Sequence, residues 1–113
     1  MAPDLDRTLL ALAEPTRRSV IDLLRERPRR ASEIADALDT TRPAMSRHLR
    51  VLRKAGLVSE EELPDDARAR VYRLERAPFE ELRGWLEEVE AFWGDQLAAF
   101  KAHAERGSRG RPK

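Results

Sequence analysis

The 113-residue chain contains no cysteine. That absence excludes disulfides, thiolate metal ligands, thiol redox sensing and cysteine nucleophiles together. Histidine occurs only at His48 and His103, a poor start for zinc, which needs about three or four convergent ligands. There is no glycine-rich phosphate loop and no histidine pair, and the carboxylates are scattered among helix-surface charges, so the constellation an enzyme needs is missing. No apolar run approaches the roughly 20 residues that span a bilayer, and nothing resembles a signal peptide; a cytoplasmic protein without a membrane partner is expected. An overall charge excess is also lacking, with 22 basic against 21 acidic side chains, so any claim of nucleic-acid binding must rest on local distribution. Lysine contributes only 3 of the basic residues and arginine 19, a bias that a GC-rich coding genome explains without function. Aromatics are few: all six lie after residue 70.

What is present is concentrated between Thr40 and Val58, TTRPAMSRHLRVLRKAGLV. Thr41 suits a helix N-cap, Pro43 the first turn where a missing N–H costs nothing, and Gly56 the position just past the end. Met45, Leu49 and Leu52 recur at helical spacing with Ala44, Val51 and Ala55 beside them, which marks a buried stripe. Arg42, Ser46, Arg47, Arg50, Arg53 and Lys54 take the other face. From Thr41 to Lys54 there are five basic residues and no acidic one, while the first 56 residues as a whole carry net +4 and the remaining 57 net −3. Arginine-rich helix faces are commonly just solvated, so context has to carry a DNA-binding reading.

That context is helix-turn-helix order. Just upstream, SEIADAL reads as a short helix with Ser32 as N-cap and Ile34, Ala35 and Leu38 turned inward. A short helix, a tight polar turn and a cationic helix follow one another. Before them, Leu5, Leu9 and Leu12 define an amphipathic first helix ending near Ala13. A second helix begins at Pro15, places Val20, Leu23 and Leu24 toward a core and is closed by Pro28. Arg17 and Arg18 stand near its dipole-disfavoured N-terminus, either solvated or contacting phosphate. After Gly56, Val58 to Leu63 and Arg70 to Leu74 bracket Pro64-Asp65-Asp66-Ala67, a hairpin signal. Such a hairpin is a wing, and Arg68 and Arg70 near its tip could reach phosphates or a minor groove. Glu60, Glu61, Glu62, Asp65 and Asp66 argue against a basic wing unless they face away.

From Phe79 the spacing predicts one long helix, with Phe79, Leu82, Leu86, Val89, Trp93, Leu97 and Phe100 on a stripe widened by Trp85, Phe92 and Ala99. A stripe this wide exceeds what one small winged domain can cover, and burial against a second copy is the economical solution. Two recognition helices held by a dimer would match successive major grooves about 34 Å apart, implying an imperfectly palindromic operator. Arg42, Ser46, Arg47 and Arg50, early in the helix, are placed for base edges, with the remaining cations on phosphates.

ALAEPTRRSVIDLL, SEIADAL, RPAMSRHLRVLRKAGLV and a VYRL strand, in that order, resemble the ArsR family of bacterial winged-helix repressors over roughly residues 5 to 100, with the S-R-H-L-x-x-L-x-x-A-G-L-V run the specific part. The resemblance implies a homodimer that binds an operator and represses transcription, in some relatives of its own gene. It implies dimerisation through the first and last helices, hence Leu5, Leu9 and Leu12 with Trp85, Val89, Phe92, Trp93, Leu97 and Phe100. His48 matches a family histidine and is read as structural or phosphate-contacting. The family's metal sites use cysteines, absent here, or paired Asp, His and Glu on the last helix. Only Asp95, His103 and Glu105 are available there, and His103 and Glu105 face apart. No metal or other cofactor is expected, and any small-molecule effector is unknown. The expected fold is α+β, mostly α: a winged helix-turn-helix over residues 1–106 with a long terminal dimerisation helix, then a disordered basic tail over 107–113. A helical dimeric protein-interaction module and a sequence-blind DNA-packaging protein remain alternatives.

Overall fold

The computed structural model describes residues 3–109, except the side chains of Pro3, Ala67, Arg68, Ser108 and Arg109. Element order is α1 (Pro3–Leu12), α2 (Pro15–Glu26), α3 (Ala31–Ala37), α4 (Arg42–Lys54), β1 (Val58–Leu63), β2 (Asp66–Leu74) and α5 (Ala77–Arg109). One compact unit ends at Leu82 and a second begins at Arg83, within α5. In the first unit Val20, Ile21 and Leu24 of α2, Ile34 and Ala35 of α3, and Met45, Leu49 and Leu52 of α4 form one buried cluster that Leu57 and Val58 continue into the hairpin. Each such aliphatic side chain contributes about 1.5–3 kcal/mol by leaving water, and together they fix α4 against α2 and α3. Ile21 belongs to this cluster, whereas Leu23 packs only at its margin.

The ends of α4 follow local chemistry. Thr41 Oγ1 accepts a hydrogen bond from the Ala44 N–H at 3.2 Å. At the other end Gly56 adopts φ +77°, and the N–H groups of Gly56 and Leu57 donate to the carbonyls of Arg53 and Leu52, the paired bonds of a Schellman cap. Helix α3 ends the same way with a residue that is not glycine: Asp39 sits at φ +52°, with Asp39 N–H bonded to Asp36 O and Thr40 N–H to Ala35 O. This left-handed residue makes the tight turn between α3 and α4. The start of α3 differs from expectation. Its N-cap is Arg30 rather than Ser32, because Glu33 Oε1 accepts the Arg30 N–H at 3.3 Å and Arg27 holds the second oxygen of Glu33.

Helix α1 also turns a different face inward. Leu5, Thr8 and Ala11 are buried and Leu12 packs on the core, while Leu9 and Leu10 are exposed. Thr8 is tolerated inside because its hydroxyl donates to Asp4 O at 2.9 Å. Arg17 and Arg18 are neither free nor poised for phosphate. Arg17 donates to Ala11 O at 2.7 Å and Leu10 O at 3.3 Å, and Arg18 to Leu12 O at 2.8 Å. Both therefore satisfy the orphan carbonyls at the C-terminus of α1, where a cation is favoured by the helix dipole.

The hairpin is antiparallel, with Val58 opposite Leu74, Glu60 opposite Tyr72 and Glu62 opposite Arg70, and an irregularity between Glu62 and Leu63. Strand β2 begins at Asp66, earlier than the expected Arg70, so the turn is only Pro64-Asp65. A bridge from Arg29 to Tyr72, with N–H···O distances of 3.1 and 2.7 Å, ties the hairpin to the segment between α2 and α3. Helix α5 continues through Gly107 to Arg109, past the point where a tail was expected. The remaining tail residues, 110–113, lie outside the described residues. No described helix is long and apolar enough to cross a membrane.

Candidate nucleic-acid interface

Because Met45, Leu49 and Leu52 are held inside, the opposite face of α4 is presented to solvent. Arg42, Ser46, Arg47, Arg50, Arg53 and Lys54 are all exposed. Arg42, Arg47, Arg50 and Lys54 have no ion pair or side-chain hydrogen bond to any described residue. Four uncompensated cations on one 13-residue helix form a surface whose natural counterpart is a row of phosphates, with the two mid-helix arginines able to fork onto a guanine edge. Val51, expected beside the buried stripe, is instead exposed next to this face.

His48 stands apart from the free cations. It is half-buried, with Nδ1 at 3.5 Å from Arg17 Nη1 and 3.8 Å from Glu14 Oε2. Glu14 is the N-cap of α2, accepting the Arg17 N–H at 3.0 Å. The histidine thus ties α4 to the α1–α2 junction.

The wing resolves the problem posed by its acidic residues. Arg73 pairs with Glu61 at 2.9 Å, and Arg70 pairs with Glu60 at 3.2 Å and Glu62 at 3.6 Å. Cross-strand register brings these opposite charges together, so the three glutamates are locally compensated. Arg53, at the end of α4, also reaches Glu60, at 2.8 Å, and the Tyr72 hydroxyl donates to the same carboxylate. Arg53 and Arg70 are therefore engaged within the protein, unlike Arg47 and Arg50. The side chain of Arg68 lies outside the described residues. Glu60 was not a sequence-derived site residue; its signal emerges only when the hairpin register sets it opposite Tyr72 and near the last turn of α4.

The Tyr72 hydrogen bond, then the charges of Arg70 and Arg53, hold the Glu60 carboxyl below its usual range against an opposing desolvation. Conversely, burial and then the bond to Glu60 push the Tyr72 hydroxyl up to about 12. Tyr72 is the sole tyrosine, so tyrosinate absorbance reports this site alone. The titration midpoint should lie near 12 in the native protein and fall toward the ordinary value of about 10 in Glu60→Gln. A raised folded-state value means that the associated stability is complete below about pH 10 and is lost as pH rises through about 12. A midpoint that Glu60→Gln leaves unchanged would disprove the Tyr72–Glu60 contact, because burial alone would then account for the raised value.

Of the proposed dimer residues, Leu5 is 3% exposed within its own chain and cannot serve as an outward contact; Leu9 is exposed and Leu12 half-buried. On the second unit, Trp85 and Val89 are half-buried, whereas Phe92, Trp93, Leu97 and Phe100 are exposed. Phe92 and Trp93 meet edge to face, centroids 5.6 Å apart. Among the described residues, no group of three or more His, Asp and Glu is arranged to hold a metal ion.

A buried three-helix core presenting a capped cationic helix, followed by a two-stranded hairpin, defines a winged helix-turn-helix DNA-binding domain. Residues 14–60 match the model described as "Bacterial regulatory protein, arsR family". Over 95 residues the chain is 37% identical to the HTH-type transcriptional regulator Rv2034 of Mycobacterium tuberculosis, covering 84% of this chain and 83% of that protein. The transcriptional repressor SdpR of Bacillus subtilis is 36% identical over 50 residues, 44% of this chain and 56% of its own length. Among solved structures, an ArsR-like transcriptional regulator from Rhodococcus sp. RHA1 aligns with a TM-score of 0.74 at 31% identity, over 89% of this chain and 92% of the other. The chain belongs to the ArsR family. It is a transcriptional regulator with a winged helix-turn-helix DNA-binding domain, and the family is one of regulators rather than enzymes.

Proposed function

We propose that the protein is a homodimeric repressor that binds a palindromic operator, its own promoter included, and inserts α4 of each protomer into the major groove. The observation that carries this reading is the set of unpaired cations on α4, Arg42, Arg47, Arg50 and Lys54, on a helix whose other face is locked into the core. Arg47, Arg50 and Ser46 address base edges, and Arg42 and Lys54 address phosphates. Repression is supported by likeness to a relative that bears that role, SdpR. Pairing of protomers is supported by the aromatic surface of α5, which is too large for a solvent face.

The test is an anisotropy titration of a duplex from the protein's own promoter, with scrambled duplex as competitor and salt varied. Binding that resists the competitor and weakens steeply with salt is the expected result. Equal affinity for both duplexes would replace the reading with sequence-blind packaging, and no binding to either at low salt would replace it with a protein-interaction role.

A further inference from the structure

The two wing-side cations differ from the four free cations of α4 in one respect: both are held by the Glu60 carboxylate, with Arg70 also reaching Glu62 at 3.6 Å. Arg53 Nη1 reaches Glu60 Oε1 at 2.8 Å and Arg70 Nη1 reaches Oε2 at 3.2 Å. The Tyr72 hydroxyl supplies a third donor to Oε1. Both oxygens of Glu60 are therefore occupied by donors of the kind that grip a DNA phosphate oxygen. The carboxylate is only 20% exposed, while Arg53 and Arg70 are 56% and 57% exposed. Its position behind the two guanidiniums is also a wall of two recesses, of about 180 Å³ toward Ser46 and Arg50 and about 400 Å³ toward Arg30 and Ser32. Glu60 thus lies between the last turn of α4 and the hairpin, lining both recesses.

We infer that Glu60 is an internal substitute for a DNA phosphate and determines specificity: it occupies Arg53 and Arg70 so that only a duplex seated closely enough to displace it recruits them. This inference rests on the DNA-binding reading above. A loosely docked, mismatched duplex sees the free cations of α4 but meets a negative charge between Arg53 and Arg70, which lowers its affinity. A duplex whose base edges accept Arg47 and Arg50 brings its phosphate to short range and takes over both guanidiniums. The carboxylate therefore discriminates chiefly against nonspecific binding.

Glu60→Gln tests this, because the amide keeps the size and the acceptor for Tyr72 while removing the charge. Affinity for scrambled duplex should rise by about 10-fold or more, its salt dependence should steepen by about one to two phosphate equivalents per protomer, and promoter affinity should rise less, so the specificity ratio falls. Glu60→Asp, which restores the charge, should return the ratio toward wild type, and Tyr72→Phe, which leaves the charge in place, should leave the salt slope unchanged. A purely structural glutamate gives the opposite result, with both duplexes binding more weakly and no change in slope. Should Glu60→Gln fail to fold, the Glu60→Asp and Tyr72→Phe slopes decide: a slope in Tyr72→Phe that steepens as much as charge removal requires would overturn the inference. If wild type prefers its promoter and Glu60→Gln leaves the ratio unaltered, the inference alone falls. If wild type binds neither duplex, the DNA-binding reading falls and takes the inference with it.

Discussion

Replacing Arg47 and Arg50 together by alanine is expected to abolish measurable promoter binding while leaving the protein folded. Both side chains are exposed and make no pairing to a described residue, so their removal costs the fold nothing beyond surface-substitution levels. Each arginine that forks onto a guanine is worth about 1–3 kcal/mol of discrimination, and a symmetric dimer loses four of them at once. The salt slope should shrink as well, by up to about four phosphate equivalents, if these side chains also neutralise backbone charge. Binding curves by anisotropy, checked against an unchanged thermal melt, are the measurement. Unaltered promoter affinity in a folded double variant would show that α4 does not read DNA, which is what a protein-interaction module predicts.

The second large effect concerns assembly. Trp93→Glu combined with Phe100→Glu should convert a dimer into a monomer in sedimentation at micromolar concentration. Trp93 and Phe100 are 59% and 73% exposed in the single chain, and with Leu86 and Leu97 they lie one above another at spacings of seven, four and three residues. Interfaces concentrate their energy in such aromatic anchors, about 2 kcal/mol or more each on truncation, and a buried unpaired carboxylate adds to the loss. A dissociation constant raised at least about 10³-fold is the consequence. Promoter affinity should fall with it, since two recognition helices no longer bind as one linked pair. A double variant that sediments as wild type would move the dimer contact elsewhere.

Local signals made the organising helix readable in advance. Thr41, Pro43 and Gly56 punctuate α4, and its apolar period gave the buried residues Met45, Leu49 and Leu52, because capping and burial are decided within a few residues. The SEIADAL helix was visible for the same reason, but its true start was not: Arg27 and Arg30 converge on Glu33, a contact that depends on how the preceding segment bends. Asp39 at positive φ carried little warning, since glycine is the usual occupant of that position. Arg17 and Arg18 sit on α2, whereas their partners are carbonyls of the helix before it, a pairing that local sequence does not announce. Glu60 required the hairpin register and the approach of α4 at once. The acidic wing looked hostile to DNA in the linear chain because compensation by Arg70 and Arg73 exists only across the strands.

Arg17 has a mechanical consequence. Its guanidinium grips the end of α1 through two carbonyls, its backbone N–H is held by the Glu14 cap that starts α2, and its other edge meets His48 on α4. The side chain works as a rivet through three helices, so that the end of α1, the start of α2 and the middle of α4 share one fastening point.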